Sequence, residues 1–232
     1  PAPPVPALQS QWSGRGPRRR VIAAWAAATL VAAGGLTMAI VRLSGANGIV
    51  ALAANSVGAV ESDGSITTEV PVGTNPSGLA FDGHALWVAN ASDGTVLRID
   101  RTTRAVLKLD VGAAPESVAV TADDVWVANF DDGTVTMINI GAAEVVKTIT
   151  VGTGPAAIAA GPSGVWVANS GDNTIQRIDP ITGHTDKPVE VGDGPDGIAV
   201  GDDSVWVANA HDGTVSRIDP TTRPDVSSPI PL

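Results

Sequence analysis

Beyond residue 48, apolar residues alternate with polar or small ones in short runs, and each run ends at Gly, Pro, Asn or Asp. Residues 96–100 (Val-Leu-Arg-Ile-Asp) and 117–120 (Ser-Val-Ala-Val) are two examples. A period of two is typical of β-strands that bury one face, and the residues that end the runs favour tight turns. No run in this region has the length and period of an amphipathic helix. The pattern therefore predicts an all-β fold.

The same group of runs recurs four times at a spacing of 39 or 40 residues, because the tetrapeptide Trp-Val-Ala-Asn begins at Trp87, Trp126, Trp166 and Trp206. A Val-Gly-x-x-Pro turn precedes each copy, and Asp-Gly-Thr-Val follows it, or Asp-Asn-Thr-Ile in the third copy. Each repeat thus holds four strand-sized pieces, here called strands a to d. Four antiparallel strands in about 40 residues predict one blade of a β-propeller.

The repeat also predicts the boundaries of the blades. The chain enters the repeat in the middle, so that residues 49–73 form a half blade of strands c and d. Four blades follow, at 74–112, 113–152, 153–192 and 193–232. A propeller usually closes by combining strands from both termini in one blade, which this order of strands does not allow. We therefore expect an incomplete arc of a larger ring.

The four repeated tryptophans occupy the same place in strand b. Burial of one indole removes roughly 150–250 Å² of surface from water. We expect Trp87, Trp126, Trp166 and Trp206 to form the core between neighbouring blades rather than a stacking site for a ligand.

The N-terminal part of the chain has a different composition. Residues 1–20 are rich in Pro and Arg and predict a linker, whereas residues 21–43 contain an uncharged run of 21 residues that predicts one transmembrane helix. Arginines precede this run at positions 15 and 18–20, and only Arg42 follows it, so the N-terminus is predicted to be cytoplasmic and the repeats extracytoplasmic. The alternative is a signal peptide cleaved after residues 51–53 (Ala-Leu-Ala), but the apolar run is longer than such peptides require. The expected location is the plasma membrane, with a single crossing.

Charged residues are also distributed unevenly between the N-terminal part and the repeats. All 24 acidic residues lie after residue 60, and five of the 14 basic residues lie at or before residue 42. The repeat region is therefore strongly acidic. Such a surface repels the phosphates of nucleic acids, so no nucleic-acid partner is expected for the repeats.

The repeat unit, Trp-Val-Ala-Asn-x-x-Asp-Gly-Thr-Val-x-Arg-Ile-Asp followed by Val-Gly-x-x-Pro, resembles the YVTN-type (YncE-like) β-propeller repeat of bacterial extracytoplasmic proteins, in an actinobacterial form. The resemblance covers residues 49–232. It implies a full ring of seven blades and, upstream of the membrane helix, a cytoplasmic kinase or DNA-binding domain. It implies no particular ligand.

Several features that suggest chemistry have simpler structural explanations. The repeated Asn-x-x-Asp sequence resembles a set of calcium ligands, but it lacks the EF-hand pattern, and Asp-Gly between two strands is a common hairpin signal. His84 and His184 belong to turns on one face of the propeller and His211 to a loop on the other, so the three histidines cannot meet. The sequence contains no Cys and no recognisable catalytic motif. We therefore expect no catalysis, no cofactor and no metal site.

Two other functions stay open. Virginiamycin B lyase is also a Trp-rich propeller, and by this likeness of architecture His211 with Asp212 would serve a metal-dependent opening of a cyclic ester. The second alternative is a structural protein of the cell envelope, which would be abundant and self-associating.

We predict that the protein is a membrane-anchored binding or sensing module. It would bind a protein, peptide or small-molecule ligand through one face of the propeller. This face is made of the b-to-c loops and the Val-Gly-x-x-Pro turns, since loops on a rigid scaffold commonly carry binding residues. Specificity should depend on the residues of this face that do not follow the repeat. They are Ser92, Glu116, Phe130, Asp193, Asp196 and His211.

Overall fold

The computed structural model describes residues 54–60, 66–221 and 230–231, in which β-strands occur and α-helices do not. The first ten strands are β1 (Ser56–Val60), β2 (Ile66–Pro71), β3 (Pro76–Phe81), β4 (Ala85–Asn90), β5 (Thr95–Asp100), β6 (Val106–Asp110), β7 (Pro115–Val120), β8 (Asp124–Asn129), β9 (Thr134–Asn139) and β10 (Glu144–Thr150). The other eight are β11 (Pro155–Gly161), β12 (Gly164–Asn169), β13 (Thr174–Ile178), β14 (Val189–Glu190), β15 (Pro195–Val200), β16 (Val205–Asn209), β17 (Thr214–Ile218) and β18 (Ile230–Pro231).

The strands form four antiparallel sheets of four strands each, β3–β6, β7–β10, β11–β14 and β15–β18, preceded by a half sheet of β1 and β2. Within each sheet every strand pairs with the next one along the chain, so the four strands correspond to a, b, c and d of one repeat. This arrangement confirms the predicted all-β propeller fold. The sheets are called the first to the fourth sheet below.

The predicted transmembrane helix, residues 21–43, lies outside the described residues. Among the residues that the structure does describe, no helix is long and apolar enough to cross a membrane.

Successive sheets pack face to face through hydrophobic clusters. The cluster between the second and third sheets contains Trp126 and Val135 from one sheet, and Ile158, Val165 and Ile178 from the other. Equivalent clusters join the first sheet to the second and the third to the fourth, and a smaller one joins the half sheet to the first. No cluster in the described part of the chain joins the fourth sheet to the first, so the described sheets form an open arc.

The tryptophans of strand b lie at these contacts between sheets. Trp87 and Trp126 are completely buried and Trp166 is 2% exposed, because the next sheet covers each of them. Trp206 is 41% exposed, since no described sheet follows the fourth. The indole therefore packs between blades, and its burial depends on the neighbouring sheet.

Strand a begins in the same way in every sheet, with a proline followed by a shift in register. The shift lies between Pro115 and Ser117 in the second sheet and between Pro155 and Ala157 in the third. Proline has no N–H to contribute to the ladder, and such shifts are typical of β-bulges. The irregularity lies where the connection from the previous strand d enters strand a.

Candidate ligand-binding face

One face of the arc is built from the connections between strands b and c and those between strand d and the next strand a. Backbone hydrogen bonds join the two connections of each repeat: Phe130 N donates to Ala114 O at 2.9 Å, and Asp131 N to Ala113 O at 3.3 Å. The same pairing occurs in the other three sheets. We call this the loop face, defined as residues 73–76, 91–94, 112–116, 130–133, 152–156, 170–173, 192–196 and 210–213. The face with the a-to-b and c-to-d turns is called the turn face.

The repeated Asn and Asp residues hold the loop face together. In the second sheet, Gly112 N donates to Asn129 Oδ1 at 3.2 Å, and Ala113 N donates to Asp132 Oδ2 at 2.6 Å. Asn129 is completely buried, and its Nδ2 donates to the hydroxyls of Thr134 and Thr136 at 3.0 and 2.9 Å. The Asn-x-x-Asp sequence therefore clamps the incoming connection.

The hairpin between strands b and c turns at a residue with positive φ. This residue is Gly133 in the second sheet (φ 62°) and Asn173 in the third (φ 55°). Gly and Asn are the residues that adopt this conformation at least cost, which explains why the third repeat replaces Asp-Gly by Asp-Asn.

A groove of about 670 Å³ crosses the loop face where the first and second sheets meet. Three of the predicted site residues, Ser92, Glu116 and Phe130, line this groove together. Asp131 lines it as well and was missed by sequence reasoning. The signal for Asp131 was present, because the position holds Ser92, Asp131, Gly171 and His211 in the four repeats and so does not follow the repeat.

Phe130 occupies a defined position in this groove. Its side chain is 38% exposed. On its other side the ring lies over Gly154 of the connection to the third sheet, where an added Cβ would meet Phe130 Cε2 and Cζ at 3.2 Å. The aromatic ring is thus held by the third sheet and presents its free surface to solvent.

Glu116 is half-buried beside this ring. Burial raises the pKa of the Glu116 carboxyl above its usual value, and the negative charge of Asp131 raises it further. The negative charge of Asp131 therefore disfavours the ionised form of Glu116 in the groove.

The remaining predicted residues, Asp193, Asp196 and His211, lie on the fourth sheet and do not line this groove. His211 N donates to Asp193 O at 3.1 Å, and the ring Nδ1 lies 3.7 Å from Asp193 Oδ1. Both side chains are largely exposed. The six predicted residues thus form two separate groups on the loop face.

The other two histidines lie on the turn face. His84 belongs to the a-to-b turn of the first sheet, where its N–H donates to Asp82 Oδ1, and His184 belongs to the c-to-d turn of the third. Among the described residues, no three His, Cys, Asp or Glu side chains come close enough together to hold a metal ion.

The turn face has a cavity of its own, of about 380 Å³, between the third and fourth sheets. Two of the charged side chains that line it form a salt bridge, in which Arg177 Nη1 lies 3.1 Å from Asp186 Oδ2. Trp166, one of the apolar residues of its wall, is 2% exposed and contributes to the core between the sheets.

No protein-family profile and no curated protein matches the chain. Among solved structures, virginiamycin B lyase from Staphylococcus aureus matches with a TM-score of 0.68 and 20% identity, over 79% of this chain and 65% of its own. A streptogramin B lyase matches with a TM-score of 0.67 and 18% identity over the same shares, 79% and 65%. Hydrazine synthase from Kuenenia stuttgartiensis matches with a TM-score of 0.59 and 25% identity, over 66% of this chain and 49% of its own.

These similarities show the fold and leave the function open. The chain spans about half to two thirds of the length of these proteins. Propellers of such low identity carry unrelated functions, because the function depends on the residues placed on the scaffold.

Proposed function

We propose that this chain is a binding or sensing module of the YVTN type, without catalysis of its own, whose ligand lies on the loop face. The observation that carries the proposal is the groove between the first and second sheets. It is lined by Ser92, Glu116 and Phe130, which belong to two different repeats and which differ from their counterparts in the other repeats.

The way the loop face is held together supports the same proposal. The repeated side chains, such as Asn129 and Asp132, bond to the backbone and fix its shape. The side chains that differ between repeats, such as Phe130 and Glu116, make no contribution to this clamp. A rigid framework that presents variable side chains is the usual organisation of a binding surface.

The test is an NMR titration of the isotope-labelled full chain with a library of small fragments and short peptides. We expect hits to shift the amide signals of Ser92, Glu116 and Phe130. Amides of the turn face, such as those of His84 and Asp123, are the internal reference. Hits that gather on the turn face, or a library that shifts nothing on the loop face, would contradict the proposal.

We further propose that residues 21–43 anchor the module in the plasma membrane and that the loop face acts outside the cytoplasm, coupled to a kinase or a DNA-binding domain upstream. The support is the distribution of arginines around the apolar run. Because the chain contains no Cys, single cysteines can report the topology. In intact cells, a membrane-impermeant maleimide should label Ala122→Cys and leave Ser10→Cys unlabelled until lysis. The reverse pattern, or equal labelling of both, would refute the orientation.

A lyase is the second candidate, favoured by the likeness to the two lyases and by the contact between His211 and Asp193. The residues present do not fit a metal ion of the kind this candidate requires, because the described residues provide no group of three suitable ligands. The candidate is tested by incubating the chain with virginiamycin B and magnesium and separating ring-opened from intact antibiotic by chromatography. Ring opening that His211→Ala abolishes would establish the lyase and overturn the proposed absence of catalysis.

A further inference from the structure

The exposed surface of Phe130 has no partner in the part of the chain that the structure describes. The ring is fixed on one side by Gly154 and is 38% exposed on the other, inside a groove open to solvent. An aromatic ring held in this way offers an apolar surface and a negative π face to a ligand. The neighbouring side chains determine which ligand fits.

The loop face carries charge of only one sign. It contains eight carboxylates and neither Lys nor Arg, whereas Arg101, Arg104 and Lys187 all lie on the turn face. Four of the eight accept hydrogen bonds from the backbone of the incoming connection. These four are Asp93, Asp132, Asp172 and Asp212.

The other four carboxylates are available for a different role. Glu116 and Asp131 lie in the groove beside Phe130, and Asp193 and Asp196 lie at the fourth sheet. The two pairs are separated along the arc by the third sheet. A small amine that filled the groove would meet one pair, whereas an extended chain with several cations would meet both.

We propose that the groove binds a polypeptide segment rich in Lys or Arg, with one basic side chain between Phe130, Glu116 and Asp131. The apolar stem of such a side chain lies against the ring, and its charged head meets the carboxylates. A cation between Glu116 and Asp131 also relieves the repulsion between them. This inference rests on the proposed binding function and gives it a class of partner.

The experiment measures the binding of a fluorescent peptide of six Lys-Gly repeats to the full chain at low and moderate salt. We expect the double variant Glu116→Gln/Asp131→Asn to weaken binding at least tenfold, and Phe130→Ala to weaken it several-fold. The matched control is Asp202→Asn/Asp203→Asn, which removes the same charge from exposed positions on the turn face. It should change the affinity less than twofold. Unchanged thermal midpoints in all variants will show that the fold is intact.

Three results would overturn the inference. Equal loss in the two double variants would mean that the peptide responds only to the net charge of the protein. Spermine that binds as tightly as the peptide would mean that the site takes a small amine. No binding of the peptide, together with fragment hits on the loop face, would sink this partner class and leave the proposed binding function standing. If the fragment library also leaves the loop face unchanged, both fall.

Discussion

At the level of single residues, the polar side chains that recur in each repeat mostly form hydrogen bonds that fix the backbone. Asn129 shows this most fully, because one buried amide accepts from Gly112 N and donates to Thr134 and Thr136. A buried amide with these partners fixes both the hairpin of its own sheet and the connection from the previous one. The Trp-Val-Ala-Asn motif thus ends in a structural residue.

We expect Asn129→Ala to lower the free energy of unfolding by about 1–3 kcal/mol, because it leaves the N–H of Gly112 without its acceptor. Glu144→Ala, an exposed change on β10, is the control and should stay within about 0.5 kcal/mol of the wild type. Urea unfolding of the three proteins measures both effects. An Asn129 variant as stable as the control would show that the clamp contributes nothing.

A second residue-scale effect concerns acid stability. Asp100 Oδ1 accepts hydrogen bonds from the N–H groups of Thr103 and Thr102, at 2.7 and 2.9 Å, and these bonds lower the pKa of Asp100 below its usual value of 3.8. Asp179 lies in the equivalent turn of the third sheet, where bonds from Thr182 and Ile181 lower the pKa of its carboxyl too.

A carboxyl whose pKa is lower in the folded state stabilises the fold above its ordinary pKa, and this contribution is lost as the pH falls through the folded value. We therefore expect the urea midpoint of the wild type to decrease steadily below about pH 4. The double variant Asp100→Asn/Asp179→Asn should be less stable than the wild type at pH 6 but should lose less on acidification. Parallel losses in the two proteins would rule out these carboxyls as a source of the pH dependence.

At the level of the element, strand b is held at both ends. In the first and second sheets its Asn accepts a hydrogen bond from the loop face, from Gly73 N and Gly112 N respectively. Its Trp is anchored by the a-to-b turn, where the indole Nε1 donates to Asp82 in the first sheet, Thr121 in the second and Ser163 in the third. A buried indole needs such a partner for its N–H. These hydrogen bonds therefore fix strand b relative to the loops on both faces of the sheet.

The tryptophan of strand b is buried to different extents in the four sheets, so the same substitution can be compared at two of them. We expect Trp126→Ala to destabilise the chain by about 3–5 kcal/mol, since it empties a closed space between two sheets. Trp206→Ala should cost clearly less, because that indole is 41% exposed. Chemical unfolding of the two variants gives the comparison directly. Equal losses would mean that Trp206 is covered in solution.

A structural feature can be predicted from the sequence where the same residue type fills the same position in every repeat. The alternation of apolar residues and the Asn at the end of strand b recur unchanged, so the strands, hairpins and repeat period could be predicted. The partner of the indole could not, because Asp82, Thr121 and Ser163 fill one role with three residue types. Of the residues that line the groove, the sequence singled out Ser92, Glu116 and Phe130 because they differ from their counterparts in the other repeats, but it did not single out Asp131, which stands beside the hairpin signal.

At the level of the whole molecule, the sheets form a one-dimensional series in which each contacts only its neighbours. The interior and the ends of the arc therefore differ in burial. Val118 and Ile158, on strand a of the second and third sheets, are 9% and 6% exposed. Leu79 occupies the equivalent position in the first sheet and is 37% exposed. In such a series, stability depends on the neighbour contacts of each unit.

This arrangement predicts an uneven pattern of hydrogen exchange. Amides of β8 and β12, in sheets covered on both faces, should exchange at least tenfold more slowly than those of β16, whose sheet is covered on one face only, because opening an end sheet breaks one cluster and opening an interior sheet breaks two. Exchange measured by mass spectrometry on the intact chain tests this. Equal protection of β12 and β16 would mean that a further sheet or another molecule covers Trp206 in solution, and the open arc would then not be the form in which the propeller acts.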